Sequence, residues 1–146
     1  MQHEHTAQCI FCSALNAEDG PENLVIYRGK EAFVILNLYP YTNGHVMVAS
    51  NVHSASLEDL QQTTRMEIMD LLTRTITILR KVYHPEGFNI GVNIGAAAGA
   101  GVVGHVHFHI VPRWGGDANF MSTISETRVL PEMPSESYQR IKDAWE

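Results

Sequence analysis

Apolar residues along the chain recur at two distinct periods, and each period predicts a different element. Asn23 to Arg28 (NLVIYR) and Ala32 to Asn37 (AFVILN) are short, β-branched runs on either side of Gly29-Lys30-Glu31, which reads as a hairpin. The Pro and Asn-Gly signals of Tyr39 to Gly44 mark a turn, and His45 to Ser50 (HVMVAS) reads as a third strand. The period then changes. Leu57, Leu60, Ile68, Leu71, Leu72, Ile76, Leu79 and Val82 fall mostly three or four apart, or at sums of these, which predicts one long helix. Ser56-Leu57-Glu58-Asp59 has the capping-box form at its start, and His84-Pro85-Glu86-Gly87 ends it. Phe88 to Asn93 reads as a fourth strand, and a loop of Gly, Ala and Val alone follows from Gly95 to Gly104. A fifth strand is expected from Val103 or His105 to Pro112, then an irregular tail and a final helix from about Ser135. Neighbouring strands with short connections and one long helical interruption define an α+β class with a mainly antiparallel sheet.

Composition narrows the function more than the fold. The 146 residues form one domain's worth of chain, and neither a linker nor an internal repeat divides them. A formal charge of -6 with ten Lys and Arg leaves no basic stripe for nucleic acid. A small anion remains possible, because backbone N–H groups of a glycine-rich loop can hold one without positive side chains. No apolar run approaches membrane-span length, and MQHEHTAQCIFC has neither the basic nor the apolar part of a signal peptide. The expectation is a soluble, cytoplasmic protein without a membrane or nucleic-acid partner.

Two patterns carry chemistry. Cys9-Ile10-Phe11-Cys12 holds both cysteines of the chain; such a pair is half a metal site, a redox couple or two buried thiols. The redox version usually follows a strand and opens a helix, whereas this one sits in a polar lead-in, so the metal reading is preferred. In Gly104 to Arg113 (GHVHFHIVPR), three histidines alternate with apolar residues. If extended, His105, His107 and His109 share one face, about 6.6 Å apart at their bases, while Val106, Phe108 and Ile110 share the other. That spacing suits three adjacent jobs. The face is either a hydrolytic metal site with an activated water, or it presents a histidine nucleophile whose second nitrogen is tied to an acceptor.

GHVHFHIVPR resembles the His-φ-His-φ-His-φ-φ signature of the histidine-triad (HIT) superfamily. The likeness extends through CIFC, LNLYPYTNGHVMVAS, NVHSASLEDL and FNIGVNIGAAAGAGVVG, in that order. It implies a half-barrel sheet with a long helix, usually paired as a homodimer, over a single HIT domain 1–146. It also implies cleavage or transfer of nucleoside monophosphate through a histidine-nucleotide intermediate. On this chain His107 becomes the nucleophile, flanked by His109 and His45, and Asn37 meets the ribose hydroxyls. The loop from Asn93 through Gly99, Ala100, Gly101, Val102 and Val103 to Gly104 wraps the phosphates, with Gly99 and Gly101 free to take positive φ. A flexible connector is the plainer alternative for that loop. The zinc-bearing branches of the superfamily imply Cys9, Cys12, His53 and His105 as a closed structural zinc site, with residues 1–22 as the zinc-binding segment. His3 and His5 are a competing pair of ligands.

The tail, residues 114–146, begins WGGDANFM and continues to TRVLPE, resembling bacterial members that act on diadenosine tetraphosphate, including phosphorylases that pass AMP to inorganic phosphate. His109 in the third triad position resembles the hydrolytic branches instead, while Gly101 stands where many hydrolases carry glutamine. The expected partners are therefore an adenine dinucleoside polyphosphate, AMP and phosphate. Phosphorolysis is preferred, a dinucleoside polyphosphate or phosphoramidate hydrolase is the alternative, and a zinc-stabilised nucleotide-binding protein is the second.

Overall fold

The computed structural model describes residues 9–40, 42–117 and 132–146. Helix α1 (Ile10–Asn16) is followed by β1 (Val25–Arg28), β2 (Ala32–Leu36) and β3 (Val46–Ser50), then α2 (Gln62–Tyr83), β4 (Gly87–Val92), β5 (His107–Arg113) and α3 (Pro134–Trp145). The strands form one open antiparallel sheet in the order β1-β2-β3-β5-β4. This is the expected α+β class, with three helices among the described residues, α1 being additional to the two foreseen. The additional one, α1, is opened by Cys9, whose sulfur accepts the Cys12 N–H at 3.4 Å. The expectation that CIFC lies in a non-helical lead-in is therefore corrected.

The register explains which side of the sheet can hold a site. Ala49 lies opposite His107 and Met47 opposite His109 across the β3–β5 pair, while Gly91 lies opposite His109 from β4. Directly opposed residues share a face, so His107 and His109 emerge between small or slender neighbours that leave room for their rings. Phe33 and Ile35, paired with Ala49 and Met47, continue that face across β2. The opposite face carries Val34, Val48 and Ile110, all fully buried in the core that α2 and α3 also line.

Several boundaries depart from the periodic reading for physical reasons. Ser56 does not cap α2: its hydroxyl turns to the Glu58 carboxylate, a short 3-10 turn spans Leu57–Asp59, and α2 starts at Gln62. The buried stripe of α2 runs Thr64, Ile68, Leu71, Thr75 and Ile78, flanked by Leu72 and Leu79, with Ile76 only half-buried. Two threonines can occupy that stripe because each hydroxyl has an acceptor, Glu31 at 3.0 Å for Thr64 and the Leu71 carbonyl at 2.7 Å for Thr75. Strand β5 begins at His107 rather than at Val103 or His105, because the Val106 N–H is drawn to the Ser54 carbonyl at 2.7 Å, outside the sheet.

The β2–β3 turn that delivers His45 is held from behind. Glu132, just before α3, donates its N–H to Asn43 at 3.0 Å and accepts from the Tyr83 hydroxyl at 2.7 Å. Gly44 has φ 81, and a Cβ there would lie 2.9 Å from the Tyr83 ring, so both conformation and space require glycine.

Because Leu79 is fully buried, Leu79→Ala is expected to lower unfolding free energy by about 2–5 kcal/mol. Ile78→Ala should cost more than Ile76→Ala, reversing the order that periodicity alone gives. Denaturant midpoints at unchanged m-value measure both; equal losses at 76 and 78 would contradict the observed rotation of α2.

Candidate functional site

Four ligand atoms converge where α1 meets the start of β5. Cys9 Sγ lies 3.3 Å from His105 Nδ1, and Cys12 Sγ lies 3.3 Å from His53 Nδ1 and 3.6 Å from His105 Nδ1. The two imidazole Nδ1 atoms are 3.3 Å apart, and all four ligand atoms fall within 4.8 Å of one another. Tetrahedral zinc with ordinary Zn–S and Zn–N bonds requires about 3.6 Å between sulfur and nitrogen and about 3.3 Å between nitrogens. The cluster matches that size, and its two-sulfur, two-nitrogen donor set is of the kind found in closed structural sites. His105 Nε2–H donates to the Ser50 carbonyl at 2.7 Å, which leaves Nδ1 as the ligand atom. Burial, with His53 and His107 nearby, holds His105 near pKa 4 and therefore neutral, as a ligand must be. Burial and the adjacent Cys9 push the Cys12 thiol up to about 11, so a cation is what would make this pair thiolate. His3 and His5, the competing ligands, lie outside the described residues.

The triad continues from this cluster. His107 Nδ1–H donates to the carbonyl of His105 at 2.9 Å, and burial lowers the ring's pKa. A neutral imidazole has one N–H, so this bond leaves Nε2 unprotonated. His109 packs edge-on to His107, with ring centroids 4.9 Å apart at 70°. Its own pKa is lowered by burial and by His107. His109 Nδ1 also lies 2.9 Å from His45 Nε2, which in turn lies 3.3 Å from Asn37 Nδ2. Asn37 Oδ1 accepts the Tyr39 N–H at 2.9 Å, so the amide is oriented with its NH2 toward His45. His45 Nε2 is then the acceptor, and His109 must donate from Nδ1. Burial, with His109 and His107 beside it, lowers His45 to about 4, so neutral rings suit the whole network.

Asn37 joins this network to an apolar cleft of ≈ 570 Å³. Ile10 and Ala14 of α1 form one wall, and Ile35, Leu36 and Leu38 another, with Met47 beneath. The glycine-rich loop lies beyond the triad. Gly95 and Gly99 take φ 88 and 95, flanking a single 3-10 turn at Ala96–Ala98. Gly101 does not adopt positive φ; Gly95 takes the role that sequence assigned to it. The N–H groups of Gly101, Val102, Val103 and Gly104 meet no backbone carbonyl among the described residues, a donor-rich stretch directly before the triad. Asn93 stands at the loop's entrance, its Nδ2 3.9 Å from where a Gly99 Cβ would lie.

The structure thus brings together His45, His107, His109 and Asn37, and separately Cys9, Cys12, His53 and His105. Sequence reasoning missed Ile10 and Phe11, apolar residues between the two cysteines, whose only signal was their apolar character in a polar segment. Asp117, in the WGGDANFM tail, pairs with Arg113 through Nη2 at 2.6 Å, at the far end of β5 from the triad; Ala118 and Asn119 lie outside the described residues.

Fold and site define a histidine-triad protein. The HIT domain model matches residues 20–116, and the chain belongs to that family. It is 40% identical over 124 residues to the AP-4-A phosphorylase of Mycobacterium tuberculosis, covering 85% of this chain and 64% of that relative, so it spans less than two thirds of the relative's length. An uncharacterized HIT-like protein of Methanocaldococcus jannaschii is 32% identical over 75% of this chain and 81% of its own. Among solved structures, a Zn-bound histidine triad family protein from Mycobacterium smegmatis superposes with a TM-score of 0.75 at 29% identity, covering 96% of this chain and 94% of that one.

The ligand geometry predicts one tightly held divalent ion per chain. Cys12→Ser should lose it, and Tm should fall by more than about 10 °C, because a closed site couples metal binding to folding. Elemental analysis and cobalt substitution read this out; a wild-type protein with two freely reactive thiols and no thiolate–cobalt absorption would contradict it.

Proposed function

We propose that the protein is a nucleotidyltransferase acting on adenine dinucleoside polyphosphates, diadenosine tetraphosphate being the substrate that the named relative indicates. The single observation that carries this reading is the 2.9 Å bond from His107 Nδ1–H to the His105 carbonyl, which leaves Nε2 with its lone pair available. The adenosine occupies the cleft beside Ile10 and Leu36, with Asn37 within reach of the ribose. The α-phosphate meets the N–H groups of Gly101 to Gly104, where a developing negative charge is stabilised by fixed donors. His107 Nε2 attacks the α-phosphorus; an N–P bond forms, the bond from phosphorus to the bridging oxygen breaks, and ATP leaves with the bonding pair. Inorganic phosphate then attacks the same phosphorus, the N–P bond breaks, and ADP is released with His107 regenerated. His109 and His45 orient the nucleophile from its open edge. In the four-ligand site a structural zinc ion would hold Cys9, Cys12, His53 and His105 together and take no part in bond making.

Hydrolysis is the second reading, favoured by His109 as a third imidazole beside the reacting centre; water in place of phosphate gives AMP. The edge strand β4 supports pairing with a second copy, since its outer backbone has no strand neighbour among the described residues and Ile90 is 43% exposed on it. No helix among the described residues is long and apolar enough to cross a membrane. Soluble, cytoplasmic action is part of the proposal.

His107→Ala should lower turnover at least about a thousandfold while AMP affinity changes less than about threefold, because the nucleophile is lost and the cleft is not. With diadenosine tetraphosphate and phosphate, ADP plus ATP marks transfer to phosphate. Formation of AMP at every phosphate concentration would replace the transferase reading with the hydrolase, and retained turnover in His107→Ala would end both.

A further inference from the structure

Phe11 sits between the two cysteines and is fully buried. Its ring centroid lies 4.6 Å from that of the His107 ring, the two planes tilted by 36°. The same ring contacts His105 at 5.2 Å and Phe33 at 6.3 Å. One residue before it, Ile10 is 56% exposed and lines the cleft. A single turn of helix therefore sends two side chains into the metal cluster, one against the triad and one into the cleft. The sequence spacing brings this about, since residues three apart on a helical turn share a face while the two between them point elsewhere.

We infer that Phe11 is a positioning residue for His107, fixing the plane of its imidazole so that the nitrogen opposite the His105 hydrogen bond is presented to substrate. The inference rests on His107 being the nucleophile. The physical argument is one of restraint. The hydrogen bond to the His105 carbonyl holds the ring at one atom, and His109 limits one edge. A half-turn about the Cβ–Cγ bond would put Cδ2 where Nδ1 donates and Cε1 where Nε2 is presented, and the Phe11 ring packed against the imidazole opposes it. Aromatic contacts at this separation are directional as well as apolar. A reacting atom misplaced by about 1 Å can cost on the order of a hundredfold in rate. Cys9 and Cys12 anchor the turn that carries Phe11, so the metal cluster acts on the triad by two routes, through His105 in the chain and through Phe11 in space. Ile10, from the same turn, has a different effect, since it touches the cleft and not the imidazole.

The test separates bond making from binding. Phe11→Leu and Phe11→Met retain apolar volume without a ring face; Ile10→Ala trims the cleft wall. Zinc content, AMP affinity by calorimetry and the rate of His107 adenylylation in a single turnover at saturating diadenosine tetraphosphate are measured on each. Both Phe11 variants are expected to keep one zinc per chain and AMP affinity within threefold of wild type, yet to adenylylate at least tenfold more slowly. Ile10→Ala, which trims the cleft wall, is expected to weaken AMP at least threefold, unlike either Phe11 variant. Adenylylation within twofold of wild type in either Phe11 variant overturns the inference, as does a loss that appears in zinc content or AMP affinity instead. If wild-type protein itself forms no adduct on His107, the nucleophile reading fails and the inference falls with it; a wild-type adduct with unaffected Phe11 variants overturns the inference alone.

Discussion

The arrangement depends on three bonds made by one residue. His105 contributes Nδ1 to the Cys9, Cys12 and His53 cluster, donates Nε2–H to the Ser50 carbonyl, and accepts the His107 Nδ1–H at its own carbonyl. Each of these fixes something the others need. The bond to Ser50 selects the tautomer that leaves Nδ1 for the cluster, and the cluster in turn ties α1 to the start of β5. The carbonyl then selects the tautomer of the next histidine, His107. A fully buried imidazole without partners would be costly, and here every polar atom of the ring is occupied.

That constraint accounts for the alternation in GHVHFHIVPR. Residues two apart on an extended chain share a side, so a metal-facing imidazole, a reactive one and a network one can stand in a row without competing for one position. His105 looks back to the N-terminal helix, His107 lies under Phe11, and His109 joins His45 and Asn37. The small residues opposite them, Ala49 and Gly91, give the rings their space. The metal and phosphate ends of the site are therefore linked through a few residues of β5 rather than through the whole fold.

Much of this was legible in the chain because it is written in local patterns. Short apolar runs, and the alternation in GHVHFHIVPR, located the five described strands to within a few residues, and the triad and CIFC identified both clusters. What escaped was set by tertiary contacts. Thr64 and Thr75 occupy core positions on α2 only because Glu31 and the Leu71 carbonyl satisfy their hydroxyls, so a hydrophobic count passes over them. The capping-box form at Ser56 was honoured by a side-chain pair with Glu58 and not by a helix. Gly95 rather than Gly101 takes the positive φ, since the loop first closes a 3-10 turn that no composition rule specifies. Helix α1 is seven residues long, short enough that its stability comes from packing and from the Cys9 cap rather than from propensity.

The central claim is the protonation pattern that His105 imposes on His107. Long-range proton–nitrogen correlation spectra of histidine-labelled, metal-loaded protein near neutral pH test it most directly. The account predicts a single neutral tautomer for His107, with Nδ1 protonated and Nε2 bare. A ring protonated at Nε2, or an even mixture of the two tautomers, would contradict it.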